Sequence, residues 1–287
     1  MELEKIRDEL LLTEENLACL RAFRPIDDTF MRRLFRDNKA LAQLVLRIIM
    51  KKPDLIVEQL EVQTDLKMVT GARSLVLDAY AADQAGVKYD IEVQRDAGKA
   101  GPARATYHAA MLVADNLKKG EDFEKLPQMV TVFITEKDYY GEGCARYPVE
   151  WTVEPSGQLF GSPSHIIYVN GSYRDDSDIG WLMHDFCCAD PDEMHYAEMA
   201  ESTRYYKENP KEVRDMCELM EKRLSEREKK GVEKGLAQGM EKGLMQGIIS
   251  TLAALVKEGD ISLKKAAEKA GLSVEEFTKQ ARQMNLL

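Results

Sequence analysis

The chain has 287 residues, of which 44% are hydrophobic and 31% charged, which excludes a disordered polymer and leaves enough apolar residues for a folded core. Its formal net charge of −10 excludes a general affinity for polyanions, so nucleic-acid binding needs a local basic patch or metal ions that offset the carboxylates. No apolar run is long enough to cross a membrane, the first residues are charged, and the cysteines are irregularly spaced. We therefore expect a cytoplasmic protein with no membrane segment and no disulfide framework.

The spacing of apolar residues predicts helices at both ends of the chain and a sheet between them. Residues 1–24 form the first predicted helix, and Asp27 and Asp28 precede the second as candidate N-cap residues. The remaining predicted elements, in chain order, are helices over 29–35 and 40–50, strands over 55–62, 74–82 and 88–95, a helix over 102–118, a buried strand over 128–135, strands within 147–170, and helices within 178–223. This order predicts an α/β or α+β fold with a mixed sheet.

A glycine repeat begins the C-terminal part of the chain. Glycine recurs every four residues from Gly231 to Gly247, which predicts a glycine-repeat helix or linker over 225–250. Each glycine costs a helix about 1 kcal/mol relative to alanine, so either contact along the glycine ridge offsets this cost or the segment is a flexible tether. A charged linker helix and a dimerisation seam both fit this pattern.

The last segment, 251–287, predicts a small helical tail that resembles a helix-turn-helix. Its turn falls at Gly271, and Ser273 with Glu276 three residues later forms a capping box for the second helix. Such a helix pair either contacts DNA or packs only on protein, and the pattern is common enough that the second alternative is favoured.

The most informative segment is the predicted hairpin, whose turn centres on Ala85. Strand alternation gives an apolar face and a polar face, and the polar face carries Asp78, Tyr80, Asp90, Glu92 and Gln94. Asp78 lies opposite Glu92 in this register, and two facing carboxylates repel each other unless something compensates. A divalent cation such as Mg²⁺, which prefers oxygen ligands, would compensate. The alternative is a solvated polar face on which water weakens the repulsion.

The ordered motifs of the chain resemble the PD-(D/E)xK nuclease superfamily and, within it, the recombination-promoting nuclease and transposase family. The resemblance covers about residues 25–250. It is carried by PIDDTFMRRLF (25–35), LVLDAYAAD (75–83), YDIEVQR (89–95), RATYHAAMLVADNL (104–117), VTVFITEKD (130–138), HIIYVNGSYR (165–174), LMHDFCCADPDEM (182–194) and the glycine-repeat tail. It implies an α/β, restriction-endonuclease-like nuclease domain over 25–224, with a mixed sheet flanked by helices and a helical C-terminal extension.

The resemblance also implies hydrolysis of DNA phosphodiester bonds with Mg²⁺, or Mn²⁺ in its place, in transposition or recombination. Asp78, Glu92 and Gln94 match the catalytic positions, and the implied metal ligands are Asp78, Glu92, the Val93 backbone carbonyl and Asp27. Gln94 stands where the superfamily has lysine, and a neutral amide orients water but supplies no positive charge. The alternative is therefore a catalytically impaired nuclease scaffold that binds DNA or another partner.

The helix after the hairpin offers candidate substrate contacts. Arg104, Tyr107 and His108 share one helical face. Arg104 is suited to clamp a phosphate and Tyr107 to contact DNA, whereas for His108 we favour an ordinary exposed helix face. Self-association through the C-terminal helices into a homodimer would supply two active sites for a double-strand cut.

A zinc site over 184–195 is disfavoured by spacing. His184, Cys187, Cys188 and His195 offer ligand atoms, but adjacent cysteines rarely turn toward one ion, and no CxxC pair is present. Small apolar cysteines packed in a core are the better interpretation of this segment.

Overall fold

The computed structural model describes residues 11–66, 75–117 and 120–287, which form two compact units that divide between Cys217 and Glu218. Residues 1–10 of the predicted N-terminal helix, the first residue of the predicted strand over 74–82 and the last residue of the predicted helix over 102–118 lie outside the described residues. Among the described helices, none combines the length and apolarity that a membrane span requires.

The elements follow the predicted order. The helices are α1 (Glu14–Ala22), α2 (Asp28–Phe35), α3 (Lys39–Met50), α4 (Pro102–Asp115), α5 (Asp178–Cys187), α6 (Ala197–Glu208), α7 (Pro210–Glu258), α8 (Leu263–Ala270) and α9 (Val274–Gln283). The strands are β1 (Val57–Leu66), β2 (Leu75–Asp83), β3 (Lys88–Gln94), β4 (Met129–Thr135), β5 (Arg146–Val149), β6 (Thr152–Val153), β7 (Gln158–Leu159) and β8 (Ser164–Asn170).

The first unit is built on a six-stranded mixed sheet with the strand order β1-β2-β3-β4-β8-β5. The strands β1, β2 and β3 pair antiparallel, β3, β4 and β8 pair parallel, and β5 runs antiparallel to β8. Every residue of β4 is buried, as its continuous apolar run predicts. The predicted mixed sheet with flanking helices and a C-terminal helical region is confirmed.

The β2–β3 hairpin has the predicted register. Tyr80 pairs with Asp90, so the turn is centred as the sequence indicates. Asp83 holds the turn, because its Oδ1 accepts two backbone N–H groups of the loop at 2.9 Å each. In this register Asp78 lies opposite Glu92, one position beyond the pair of Ala79 and Ile91.

Helix α4 is the crossover between the parallel strands β3 and β4. Parallel neighbours need such a connection, and Pro102 is tolerated because it stands in the first turn of the helix. The helix packs against β4 and β8. Its buried residues are Ala105, His108, Ala109, Met111 and Leu112. This packing places His108 and its neighbour Arg104, one turn earlier, over the polar residues of β3.

The glycine repeat is helical, since Gly231 to Gly247 all lie within α7. Apart from the chain neighbours and the adjacent helix backbone, a Cβ atom added at any of these glycines would meet no atom of the described residues within 4 Å. Contacts within the chain therefore do not offset the cost of glycine in this stretch of helix.

The C-terminal residues form the predicted helix pair. Gly271 ends α8 in the left-handed conformation at φ 68°, and Ser273 and Glu276 make the predicted capping box at the start of α9. Both helices pack on the end of α7 through Ile249, Leu252, Ala253, Ala266, Ala267, Ala270, Phe277 and Ala281. The pair thus uses its small and apolar side chains to build the core of the second unit.

Candidate active site

Three carboxylates lie close together on the central strands, under α4. Asp78 is 3% exposed, Asp90 0% and Glu92 1%. The Asp78 backbone N–H donates to Glu92 Oε1 at 2.9 Å, so the structure brings together the two acids that the hairpin pattern singled out. The alternative of a solvated polar face is wrong, because all three side chains are removed from water.

Arg32 of α2 pairs with Asp78. Its Nε and Nη2 donate to Asp78 Oδ1 at 3.0 and 2.8 Å, and Nη2 also lies 2.8 Å from Asp28 Oδ1. The second oxygen, Asp78 Oδ2, accepts a long hydrogen bond of 3.4 Å from the Val93 backbone N–H. Burial raises the pKa of Asp78, and the Arg32 charge opposes that rise.

His108 belongs to this cluster, so the expected exposed helix face is wrong. The side chain is 1% exposed, and its Nδ1 lies 3.1 Å from Asp90 Oδ2 and 3.6 Å from Glu92 Oε1. The ring also meets Phe133 edge-on at 5.3 Å between centroids. Sequence reasoning did not assign a site role to Asp90 or His108. The available signals were the two-residue spacing of Asp90 from Glu92 and the four-residue spacing of His108 from Arg104.

Arg104 and Tyr107 border an open cavity beside the carboxylates. The Arg104 Nη2 lies 3.5 Å from Glu92 Oε2, and the side chain is 40% exposed. Tyr107 packs against the apolar cluster around Leu112. The cavity has a volume of about 610 Å³ and is lined by Leu75, Val76, Lys99, Ala103, Arg104, Tyr107 and His108. The two residues predicted to bind substrate therefore face one cavity that also carries the charge of Lys99.

Asp27 lies in a different cluster from the three carboxylates. Its Oδ2 accepts the Arg24 backbone N–H at 2.8 Å, and its Oδ1 lies 2.9 Å from Arg95 Nη1. Both arginines also pair with Glu136. Asp27 occupies the N-cap position of α2 without a side-chain capping hydrogen bond. Among the described residues, the groups of side chains able to hold a metal include neither Asp27 nor Asp78.

Gln94 and Val93 stand at the end of β3. Gln94 is half-buried and pairs in register with Thr135, while Val93 is 2% exposed. Strand alternation keeps Gln94 on the side of Glu92 and turns the Val93 side chain to the other side. Only the backbone of Val93 is therefore available to the carboxylates, and the contact seen is its N–H donating to Asp78.

The electrostatics of the cluster fit a divalent cation. Burial, reinforced by the neighbouring acids, raises the pKa of Glu92 well above its usual value, and burial likewise raises the pKa of Asp90. Burial lowers the pKa of His108, and the neighbouring Glu92 charge opposes that change. In the described part of the chain, Asp90 Oδ1 and His108 Nε2 are buried without a hydrogen-bond partner. Asp90, Glu92 and His108 place ligand atoms within 4.8 Å of one another.

The burial of Asp90 predicts a stability gain on removing its charge. The folded chain holds the Asp90 proton at a higher pH than the unfolded chain does, so stability falls as the pH rises from about 4 through the raised pKa. In EDTA at about pH 8, we expect Asp90→Asn to raise the free energy of unfolding by about 1–3 kcal/mol. Denaturant titrations measure this difference, which shrinks toward acid pH.

Asp83→Asn is the matched control, because Asp83 is also buried but its carboxylate accepts hydrogen bonds from the turn and from the Tyr89 hydroxyl. We expect this variant to lose stability. If Asp90→Asn loses as much stability as Asp83→Asn, the charge of Asp90 does not destabilise the folded chain.

Comparison with known proteins identifies a family for the chain. A family model described as PD-(D/E)XK nuclease family transposase matches residues 25–170, just over half of the chain. The matched range contains the hairpin, α4 and the whole carboxylate cluster. No curated protein and no solved structure matches the chain. The chain belongs to the PD-(D/E)XK nuclease family transposases.

Proposed function

We propose that the chain is an endonuclease that hydrolyses phosphodiester bonds in DNA with a divalent metal ion, in transposition or recombination in the cytoplasm. Its family supports a nuclease or transposase type of function. The observation that carries the proposal is the buried group of Asp78, Asp90 and Glu92, in which Asp90 Oδ1 has no hydrogen-bond partner among the described residues. Burying such a group costs stability unless a cation balances it.

Asp78, Asp90 and Glu92 would hold the ion, with the Val93 backbone carbonyl as a further ligand. Their oxygen atoms favour Mg²⁺, with Mn²⁺ as a substitute. When bound, such an ion polarises a phosphoryl oxygen and lowers the pKa of a bound water. Asp27 would join this set only after releasing Arg24 and Arg95, so we assign it no ligand role in the proposal.

The chain's own residues position the substrate. Lys99 and Arg104 give the cavity two positive charges that attract the phosphates of DNA. The ring of Tyr107 would contact the DNA strand. Gln94 is proposed to orient the attacking water by hydrogen bonding. The charge that a lysine would supply at position 94 is supplied instead by Arg104, which lies 3.5 Å from Glu92, and by Arg32, which pairs with Asp78.

The proposal predicts that Asp78→Asn strongly slows cleavage of supercoiled plasmid. We expect the purified wild-type protein to nick or linearise the plasmid with Mg²⁺ and to be inactive in EDTA. Asp78→Asn should lower the rate at least about 100-fold, equivalent to about 2.7 kcal/mol of transition-state stabilisation. Gel analysis of the plasmid forms over time measures the rates.

Asp83→Asn serves as the control, because it changes a buried aspartate on the same hairpin that is not part of the cluster. Its cleavage rate should match that of the wild type as long as circular dichroism shows a folded protein. If folded wild-type protein cuts no DNA with Mg²⁺ or Mn²⁺, the impaired scaffold that binds without cutting becomes the better account.

We also propose that a second copy of the chain docks on α7. Val232, Leu236, Met240 and Leu244 are 65–71% exposed and, four residues apart, form an apolar ridge beside the glycines. Ridges of this spacing pack into the grooves of a second helix. Glutamates and lysines alternate along the same stretch, as in Glu233-Lys234 and Glu241-Lys242, so a second copy offers opposite charges to each. A homodimer would carry two active sites.

Charges placed on this ridge should separate the dimer. We expect the double variant L236E/L244E to weaken self-association at least about tenfold, or about 1.4 kcal/mol, as measured by sedimentation equilibrium. The double variant Q238E/Q246E adds the same charges at the same spacing on another side of the helix and should leave association unchanged. A wild-type chain that stays monomeric, or equal effects of both pairs, would refute the proposed interface.

A further inference from the structure

A second cluster of ligand-type side chains lies outside the residues that the family model matches. It consists of His184 and Asp185 in the last turns of α5 and His195 in the loop before α6. Asp185 is fully buried, and its Oδ1 lies 3.1 Å from His184 Nδ1 and 3.1 Å from His195 Nδ1. Two imidazole nitrogens therefore converge on one carboxylate oxygen.

The protein fixes these three groups in place. Asp185 accepts the backbone N–H groups of His195 and Tyr196 at 2.9–3.0 Å, which holds the loop against α5. The Trp181 ring stacks on His195 with 5.7 Å between centroids and 7° between planes. The two histidine rings stand nearly perpendicular, 4.7 Å apart. Little rearrangement is then needed to bind a ligand.

We propose that His184, Asp185 and His195 bind Zn²⁺. Ligand atoms about 2.0–2.1 Å from a tetrahedral zinc lie about 3.3–3.4 Å from one another. The nitrogen-to-oxygen distances of 3.1 Å come close to this value, and all three ligand atoms lie within 4.8 Å. Two imidazoles with one carboxylate favour zinc over Mg²⁺, which prefers oxygen ligands. The fourth position is left for water.

The solvent exposure of the two histidines and the hydrogen bonds of the nearby cysteines agree with zinc binding by these three residues. The side chains of His184 and His195 are 35% and 40% exposed, so an ion can reach the buried carboxylate from solvent. The cysteines that the sequence offers as ligands point elsewhere: Cys187 donates to the Gly171 carbonyl, and Cys188 donates to the Asp190 carbonyl. Asp185 takes their place as the third ligand. The ion would tie the end of α5 to the loop that leads into α6.

The test is a zinc titration of the full-length protein, stripped of metal and held in excess Mg²⁺, against a chromophoric chelator. We expect one equivalent of Zn²⁺ to bind, and His184→Gln and His195→Gln each to weaken it at least about 100-fold. Co²⁺ in place of Zn²⁺ should give the visible absorption of a four-coordinate ion. His165→Gln is the matched control, because His165 is a partly exposed histidine that pairs with Glu150.

Zinc affinity is measured for each histidine variant separately. If circular dichroism shows that one variant is misfolded, the other still tests the proposal. Glu92→Gln separates this site from the proposed active site, since zinc at the histidine pair does not need Glu92. The proposal is overturned if wild-type protein takes up no Zn²⁺ in excess Mg²⁺. It is also overturned if folded His184→Gln or His195→Gln binds zinc as tightly as His165→Gln.

Discussion

The burial of Asp78, Asp90 and Glu92 with too little opposing charge is the constraint on which the rest of the site depends. Taking a carboxylate out of water costs several kcal/mol unless its partners satisfy it. Arg32 pairs with Asp78, and Arg104 lies near Glu92. Asp90, by contrast, faces His108, whose pKa is lowered by burial. Buried acids that lower the stability of the folded chain are typical of a site kept for chemistry.

The fold holds the three acids together through two connections of different kinds. The tight turn at Asp83 sets the register of β2 on β3, and a slip of one residue would turn Asp78 to the other face of the sheet. The crossover helix α4 follows β3 and returns to β4, which lays His108 and Arg104 over the acids. The arrangement of the site therefore follows from the topology of the sheet.

The hairpin register, the buried strand β4 and the capping box at Ser273 were predictable, because each depends on residues close in sequence. The burial of His108 was not, since it depends on how α4 lies on the sheet. The arginine partners of Asp27 and the convergence of His184 with His195 were also beyond the sequence pattern. Arg95 follows β3 and His195 precedes α6, so each contact depends on the tertiary fold, for which side-chain spacing carries no signal.

The claim that the buried acids hold a divalent cation is tested most directly by equilibrium binding of Mn²⁺, followed by the loss of the free-ion signal in electron paramagnetic resonance. We expect the wild-type protein to bind Mn²⁺ and Glu92→Gln to bind it at least about 100-fold more weakly, with Asp83→Asn unchanged. Equal binding by the wild type and folded Glu92→Gln would contradict the account, because the ion would then lie elsewhere.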